Sequence, residues 1–286
     1  MLRASISERT TFRWDLAEEL AALHLHGFDT LSLWRPKLSD LDQAEARKLL
    51  DTAGVRVSSL QWAGGFTGSD GRSFQESLTD AHEAIDEAAA IGAEVLLVHT
   101  GCRTGHTLGH ARRLVQEALE RLAPHAHDLG LRLALKPTHP AASAGCGFLT
   151  QLDDAARFIE EVQHPCVGLA LDLWHFGHQQ TCLSLLPSII NHVHVVAVAD
   201  CLGGPTAEHD RLPPGEGNLP LRHLLTALLE AGYRGDVEFE FVAEPLAASV
   251  AAGYHEALRR TRRDLRSYGC FTTSPKSSRP ASSPSR

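Results

Sequence analysis

The chain has 286 residues, 43% of them hydrophobic and 22% charged, enough to bury a sizeable core without staples. The formal charge is −8; the last sixteen residues contribute +3, leaving −11 in the body, which argues against a nucleic-acid partner. No stretch approaches the roughly 18 apolar residues of a membrane span. Arg3, Glu8, Arg9, Arg13 and Asp15 interrupt any secretory leader, and six scattered cysteines without a C-x-x-C pair read as reduced thiols, so the expected location is cytoplasmic.

In chain order, short β-type runs alternate with longer helical patterns. The first strand is predicted over Arg3–Ser7, followed by a helix over Trp14–His26 with Leu16, Leu20, Leu23 and Leu25 read as its apolar spacing. Strands follow at Thr30–Trp34 and Val55–Leu60, then a helix over Ser77–Ile91, a strand over Glu94–His99 and a helix over Thr107–Leu129. The second half repeats the alternation: strand Arg132–Lys136, helix Leu152–Val162, strand Gly168–Asp172, helix Leu183–Ile190, strand His192–Val198, helix Leu221–Ala231, strand Asp236–Val242 and helix Pro245–Leu265. Runs such as Val95-Leu96-Leu97-Val98 are continuous rather than alternating, as in strands buried on both faces. Gly27, Gly54, Gly92, Gly130 and Gly232 stand just before strands, where helices stop on a left-handed residue.

Eight strand–helix units predict an α/β protein, a single-domain (β/α)8 TIM barrel over residues 1–268. An open doubly wound sheet fits less well, because Ile6-Ser7-Glu8-Arg9-Thr10 lacks the Gly-rich loop such a fold places after its first strand. Residues 269–286 end in Ser, Pro, Lys and Arg and are expected to be a disordered tail.

Barrel function sits where strands end. The polar strand ends are His99, Lys136 with His139, Asp172 with Trp174 and His175, His194, and Glu238 with Glu240. Carboxylates and imidazoles converging from separate strands suit Mn, Mg, Co or Zn; the bland alternative for each is a cap or an ion pair.

The motifs resemble the xylose-isomerase-like barrels of sugar isomerases and epimerases. Asp172-Leu173-Trp174-His175 is similar to their strand-ending D-x-x-H, His194 to the histidine that follows it, and Arg211-Leu212-Pro213-Pro214-Gly215-Glu216-Gly217 to an R-x-x-x-G-x-G loop. Gly232-Tyr233-Arg234-Gly235 through Glu240 resembles the element bearing the last ligand. The resemblance implies a divalent metal held by Asp172, His194 and Glu240, with Glu240 also an acid–base residue. It further implies a substrate contact from His175, a sugar or polyol (phosphorylated or not) as partner, and a homodimer. By position and chemistry Arg211 is a candidate to hold a hydroxyl or phosphate with its planar fork, His99 to line the pocket floor, and Trp174 to wall the ring, against loop or core roles for each.

One position departs. The family's L-E-P-x-H-P reads Leu135-Lys136-Pro137-Thr138-His139-Pro140, so Lys136 stands where the first metal-binding glutamate belongs. An ammonium repels a cation. Three outcomes are open: Lys136 turns away and leaves a three-ligand metal site; its charge replaces the metal, pairing with Asp172 and Glu240 and acting as an electrophile or acid; or the site is inactive and the barrel binds a ligand or serves as a scaffold. An abasic-site endonuclease of this fold is disfavoured by the acidic body and by Ser32 at a position where relatives carry Glu. A Schiff-base aldolase on Lys136 is the remaining alternative.

Overall fold

The computed structural model describes residues 1–39, 41–142, 147–206, 210–243 and 248–272. Eight parallel strands close into a barrel in sequence order: β1 (Arg3–Ser7), β2 (Thr30–Trp34), β3 (Arg56–Gly64), β4 (Ala93–His99), β5 (Arg132–Leu135), β6 (Val167–Asp172), β7 (Val193–Val198) and β8 (Asp236–Phe239), with β8 pairing back to β1. The (β/α)8 expectation therefore holds. Among the described residues no helix is long and apolar enough to cross a membrane.

The helices that cover the barrel begin and end as their sequences dictate. Helix α1 (Leu16–His26) starts on an Asp15–Glu18 capping box and stops at Gly27, whose φ of 76° is left-handed. Helices α2 (Arg35–Leu38) and α3 (Gln43–Ala53) fill the β2–β3 connection, where the pattern predicted no helix. In α3 only Ala46 and Leu50 are buried, too few apolar residues to betray the period; Asp42 caps it at the Ala44 N–H. Helices α4 (Phe74–Ile91), α5 (Leu108–Asp128), α6 (Leu152–Val162), α7 (Leu173–Phe176), α8 (Gln180–Ile189), α9 (Leu221–Glu230) and α10 (Val250–Tyr268) complete the shell. The start of the last predicted helix, at Pro245, lies outside the described residues.

The main core fills the space between barrel and helices. Inside the barrel the lining is divided. On β4 to β7, Val95, Leu97, Ala134, Ala170 and Val195 form a small apolar layer. On the side of β8, β1, β2 and β3 the lining is polar: the Glu238 carboxylate accepts from Ser58 (2.7 Å) and Ser59 (2.6 Å), and hydroxyl pairs join Ser5 to Ser58 and Ser32 to Ser59. Arg3 and Arg56 pair with Asp236 and Glu94 at the N-terminal end of the strands and close it with charge.

The barrel does not end at residue 268. Cys270 and Phe271 are buried, and Phe271 bridges Leu2 as a short parallel pair, with the Leu2 N–H donating to the Cys270 carbonyl (2.9 Å). Residues 269–272 thus belong to the fold rather than to the expected tail; residues 273–286 lie outside the described residues.

Candidate active site

At the C-terminal mouth, strand ends bring together charges that are far apart in sequence. Asp172 ends β6 and is fully buried. Its Oδ1 accepts the Trp174 N–H (2.9 Å) as the cap of α7, while its Oδ2 meets Lys136 Nζ (3.0 Å) and an Arg211 nitrogen (2.6 Å). Lys136 follows β5 at once, its backbone N–H still bonded to the Val98 carbonyl (2.9 Å), and the pyrrolidine of Pro137 removes the next ladder donor. Glu240 follows β8 in the same way. Its Oε1 takes Arg9 (3.0 Å) and the Arg211 Nε (3.4 Å), and its Oε2 takes the Gln61 amide (3.3 Å). The same Gln61 nitrogen, with two N–H groups, also lies 3.0 Å from the Ser32 hydroxyl and 3.3 Å from that of Ser7, tying the mouth to the polar layer below.

Burial by itself would raise both carboxyl pKa values. The guanidinium of Arg211 and the ammonium of Lys136 override it at Asp172, and Arg9, Lys136 and Arg211 override it at Glu240, so both groups are held well below the usual carboxylate range. His175 is buried beside them, with Nε2 at 3.9 Å from Asp172 Oδ2. Its Nδ1 accepts the His139 N–H (3.2 Å), which places the ring proton on Nε2. Desolvation pushes its pKa down to about 3, so it is a neutral donor at physiological pH.

Arg211 is set by its loop. Its backbone carbonyl accepts the Val242 N–H, and Leu212 pairs with Asp200. The Asp200 carboxylate collects the N–H groups of Cys201, Gly215 and Leu219. A Cβ at Gly217 would lie 2.3 Å from Asp200 Oδ1, so only glycine lets the loop wrap that anchor. The guanidinium carbon then rests 4.7 Å above the Trp174 ring.

Several sequence expectations are corrected here. His194 does not join the site. It is the second residue of β7, its Nε2 lies against the second residue of β6 (a Cβ at Gly168 would be 2.4 Å away), and Arg132, the first residue of β5, is among its electrostatic neighbours. It is therefore at the opposite end of the barrel, where desolvation lowers its pKa to about 4 and Nε2 has no hydrogen-bond partner among the described residues. The β7 residue in register with Asp172 is Ala197. Trp174 is fully buried and supports Arg211 instead of offering a face to substrate. Lys136 pairs with Asp172, whereas the partners of Glu240 are Arg9 and Arg211. His99 packs edge-on against the half-exposed Trp62, ring centroids 5.2 Å apart, on the β3–β4 side of the mouth. Arg9, Gln61 and Asp200 were not foreseen. Their side chains carry no local motif, and Arg9 stands 231 positions from the carboxylate it binds.

These residues do not fit a divalent metal. Among the described residues the paired carboxylates at the mouth are Asp172 and Glu240, the β7 position in register with Asp172 is an alanine, and Lys136 and Arg211 already occupy the carboxylate oxygens. Among the described residues no group of three or more His, Cys, Asp or Glu could hold a metal ion.

Comparison with known proteins places this chain in a family. A 3-dehydroshikimate dehydratase of Pseudomonas putida is 26% identical over 256 residues, 85% of this chain; the chain spans 39% of the length of that relative. An inosose isomerase of Halalkalibacterium halodurans is 24% identical over 237 residues, covering 79% of this chain and 82% of the isomerase. The solved IolI protein, which carries a zinc atom, superposes with a TM-score of 0.79 at 20% identity, over 93% of this chain and 98% of its own. Sugar isomerases and epimerases are thus among the relatives of this chain, and zinc is bound by a barrel of the same fold. The model of the family described as xylose isomerase-like TIM barrel matches residues 20–264, and the chain belongs to that family.

Proposed function

We propose that the barrel moves a proton next to the carbonyl of a small polyhydroxylated compound, as sugar isomerases and epimerases do, with Lys136 and Arg211 supplying the positive charge at the substrate oxygens. The observation that supports this most directly is the pair of cations sharing Asp172 Oδ2 at 3.0 and 2.6 Å, at the mouth where the strands end. A substrate carbonyl oxygen gains negative charge as the neighbouring C–H is broken. Fixed N–H donors in a site shielded from water stabilise that enediolate without reorganising. The neutral His175 adds a third donor through its Nε2–H. Glu240 receives the proton; its ionised form is secured by Arg9, Arg211 and Gln61, which also fix its orientation.

The test is solvent deuterium incorporation. Purified protein is incubated in D2O with a panel of ketoses, aldoses and inososes, with and without a chelator. Uptake at the carbon beside the carbonyl, unaffected by chelation, is the expected result. No uptake across the panel, with or without added Mn or Zn, would rule the reading out. A second reading, a binding barrel without turnover, draws on the same ion pairs: a carboxylate held so far below its usual pKa is a weak base. Tight ligand binding without exchange would favour it.

A further inference from the structure

The cations at the mouth crowd onto shared carboxylate oxygens. Among the described residues three cations, Arg9, Lys136 and Arg211, converge on two carboxylates, Asp172 and Glu240. They do so through shared atoms: Lys136 and Arg211 both meet Asp172 Oδ2, and Arg9 and Arg211 both meet Glu240 Oε1. Two positive groups held on one oxygen repel each other, and a further anion between them would relieve that repulsion.

The donors are also unevenly used. Of its three N–H groups, Lys136 has one ion-pair partner, Asp172. Arg9 spends one nitrogen on Glu240, and its side chain is 43% exposed while that of Glu240 is 3% exposed, so Arg9 bridges the buried carboxylate and the solvent side of the mouth. Glu8, buried next to Arg9, accepts the Trp34 N–H (2.6 Å) and pairs with Lys37, which fixes the backbone from which Arg9 reaches over the mouth. A planar guanidinium at the rim, with a buried ammonium and a second guanidinium below, matches an oxyanion in both charge and fork geometry.

We propose that the ligand of this site carries an oxyanion, a carboxylate or a phosphate, in addition to its hydroxyl groups, and that Arg9 is the residue that selects for it. The proposal rests on the reading of the mouth as a substrate site. It makes the substrates sugar acids or sugar phosphates rather than neutral sugars. The oxyanion takes the Arg9 guanidinium at the rim.

The experiment is calorimetric titration of wild type and Arg9→Gln with matched probes: D-glucose, D-glucuronate and D-glucose 6-phosphate, and the corresponding galactose series, at low and high salt. The expected result is at least one charged probe binding about tenfold or more tightly than its neutral parent, the equivalent of about 1.4 kcal/mol. That preference, read as the ratio of charged to neutral affinity within each protein, shrinks in high salt and is lost in R9Q. The stronger of the two charged series identifies the oxyanion. Equal or tighter binding of the neutral sugars, a preference that survives R9Q, or no binding of any probe overturns the proposal. Deuterium exchange on the same probes separates the two inferences. Exchange of neutral sugars without a charge preference leaves the isomerase reading standing and removes this one. Charged ligands that bind through Arg9 but never exchange do the reverse.

Discussion

Replacing Lys136 by methionine removes one member of a buried ion cluster while keeping its aliphatic stem. Lys136 is 3% exposed, Asp172 is fully buried, and their charged atoms are 3.0 Å apart. Breaking a buried pair by deleting one partner costs roughly 3–5 kcal/mol, because the other charge loses its compensation in a medium that solvates it poorly. Asp172 retains Arg211 at 2.6 Å and the Trp174 N–H, which puts K136M at the low end, about 3 kcal/mol. Asp172→Asn strips the shared anion from two cations at once and belongs at the high end, about 5 kcal/mol. In the double variant each change removes the penalty left by the other, so the sum of the singles exceeds the double by about 2 kcal/mol or more. Urea unfolding at neutral pH measures all three, with unchanged m-values as the check that the fold is intact. A cost below about 1 kcal/mol for K136M, or a coupling near zero, would show that the ammonium is solvated and not part of the cluster.

Two buried groups tilt stability with pH in opposite directions. Desolvation raises the Glu238 pKa from 4.5 to about 7, so the folded state holds an extra proton between these values and stability falls as pH rises through that window; Glu238→Gln removes that fall, about 3 kcal/mol in full. His194 is lowered from 6.5 to about 4 by desolvation, so its contribution is present above pH 6.5 and lost as pH drops toward 4; His194→Leu flattens that acid-side loss. Melting curves from pH 4 to 8 check both, and parallel curves for wild type and variants would contradict them. The same H194L change, being at the far end of the barrel, leaves ligand affinity at the mouth unchanged within about twofold. Lys136→Glu alone gains no tight Mn binding, since Arg211 still sits on both carboxylates and β7 offers Ala197; adding Ala197→His introduces the missing imidazole and strengthens Mn binding at least about tenfold over the single change, measured by calorimetry.

What could be read from sequence depended on whether the signal was local. The run Val95 to Val98 announces a strand buried on both sides because four neighbouring residues say so. Lys136 was visible as an oddity because its motif surrounds it. His194 was misplaced because placing a strand residue at the mouth needs the register, and the β6–β7 pairing shifts between Leu169 and Ala170, leaving Ala197 and not a histidine level with Asp172. Arg9 and Gln61 were illegible for a different reason: their importance comes from Glu240, which closure of the barrel brings to them from the other end of the chain. Helix α3 hid behind its charged face, with Ala46 and Leu50 as the only buried contacts.

The Leu2–Phe271 bridge has a practical corollary. It ties the segment before β1 to the segment after α10 beneath the barrel, at the pole opposite Asp172 and Glu240. Leu2 and Thr272 therefore sit together on the underside. The barrel is modular in this sense: its first and last paired segments meet at one pole, and the approach to Arg9 lies at the other.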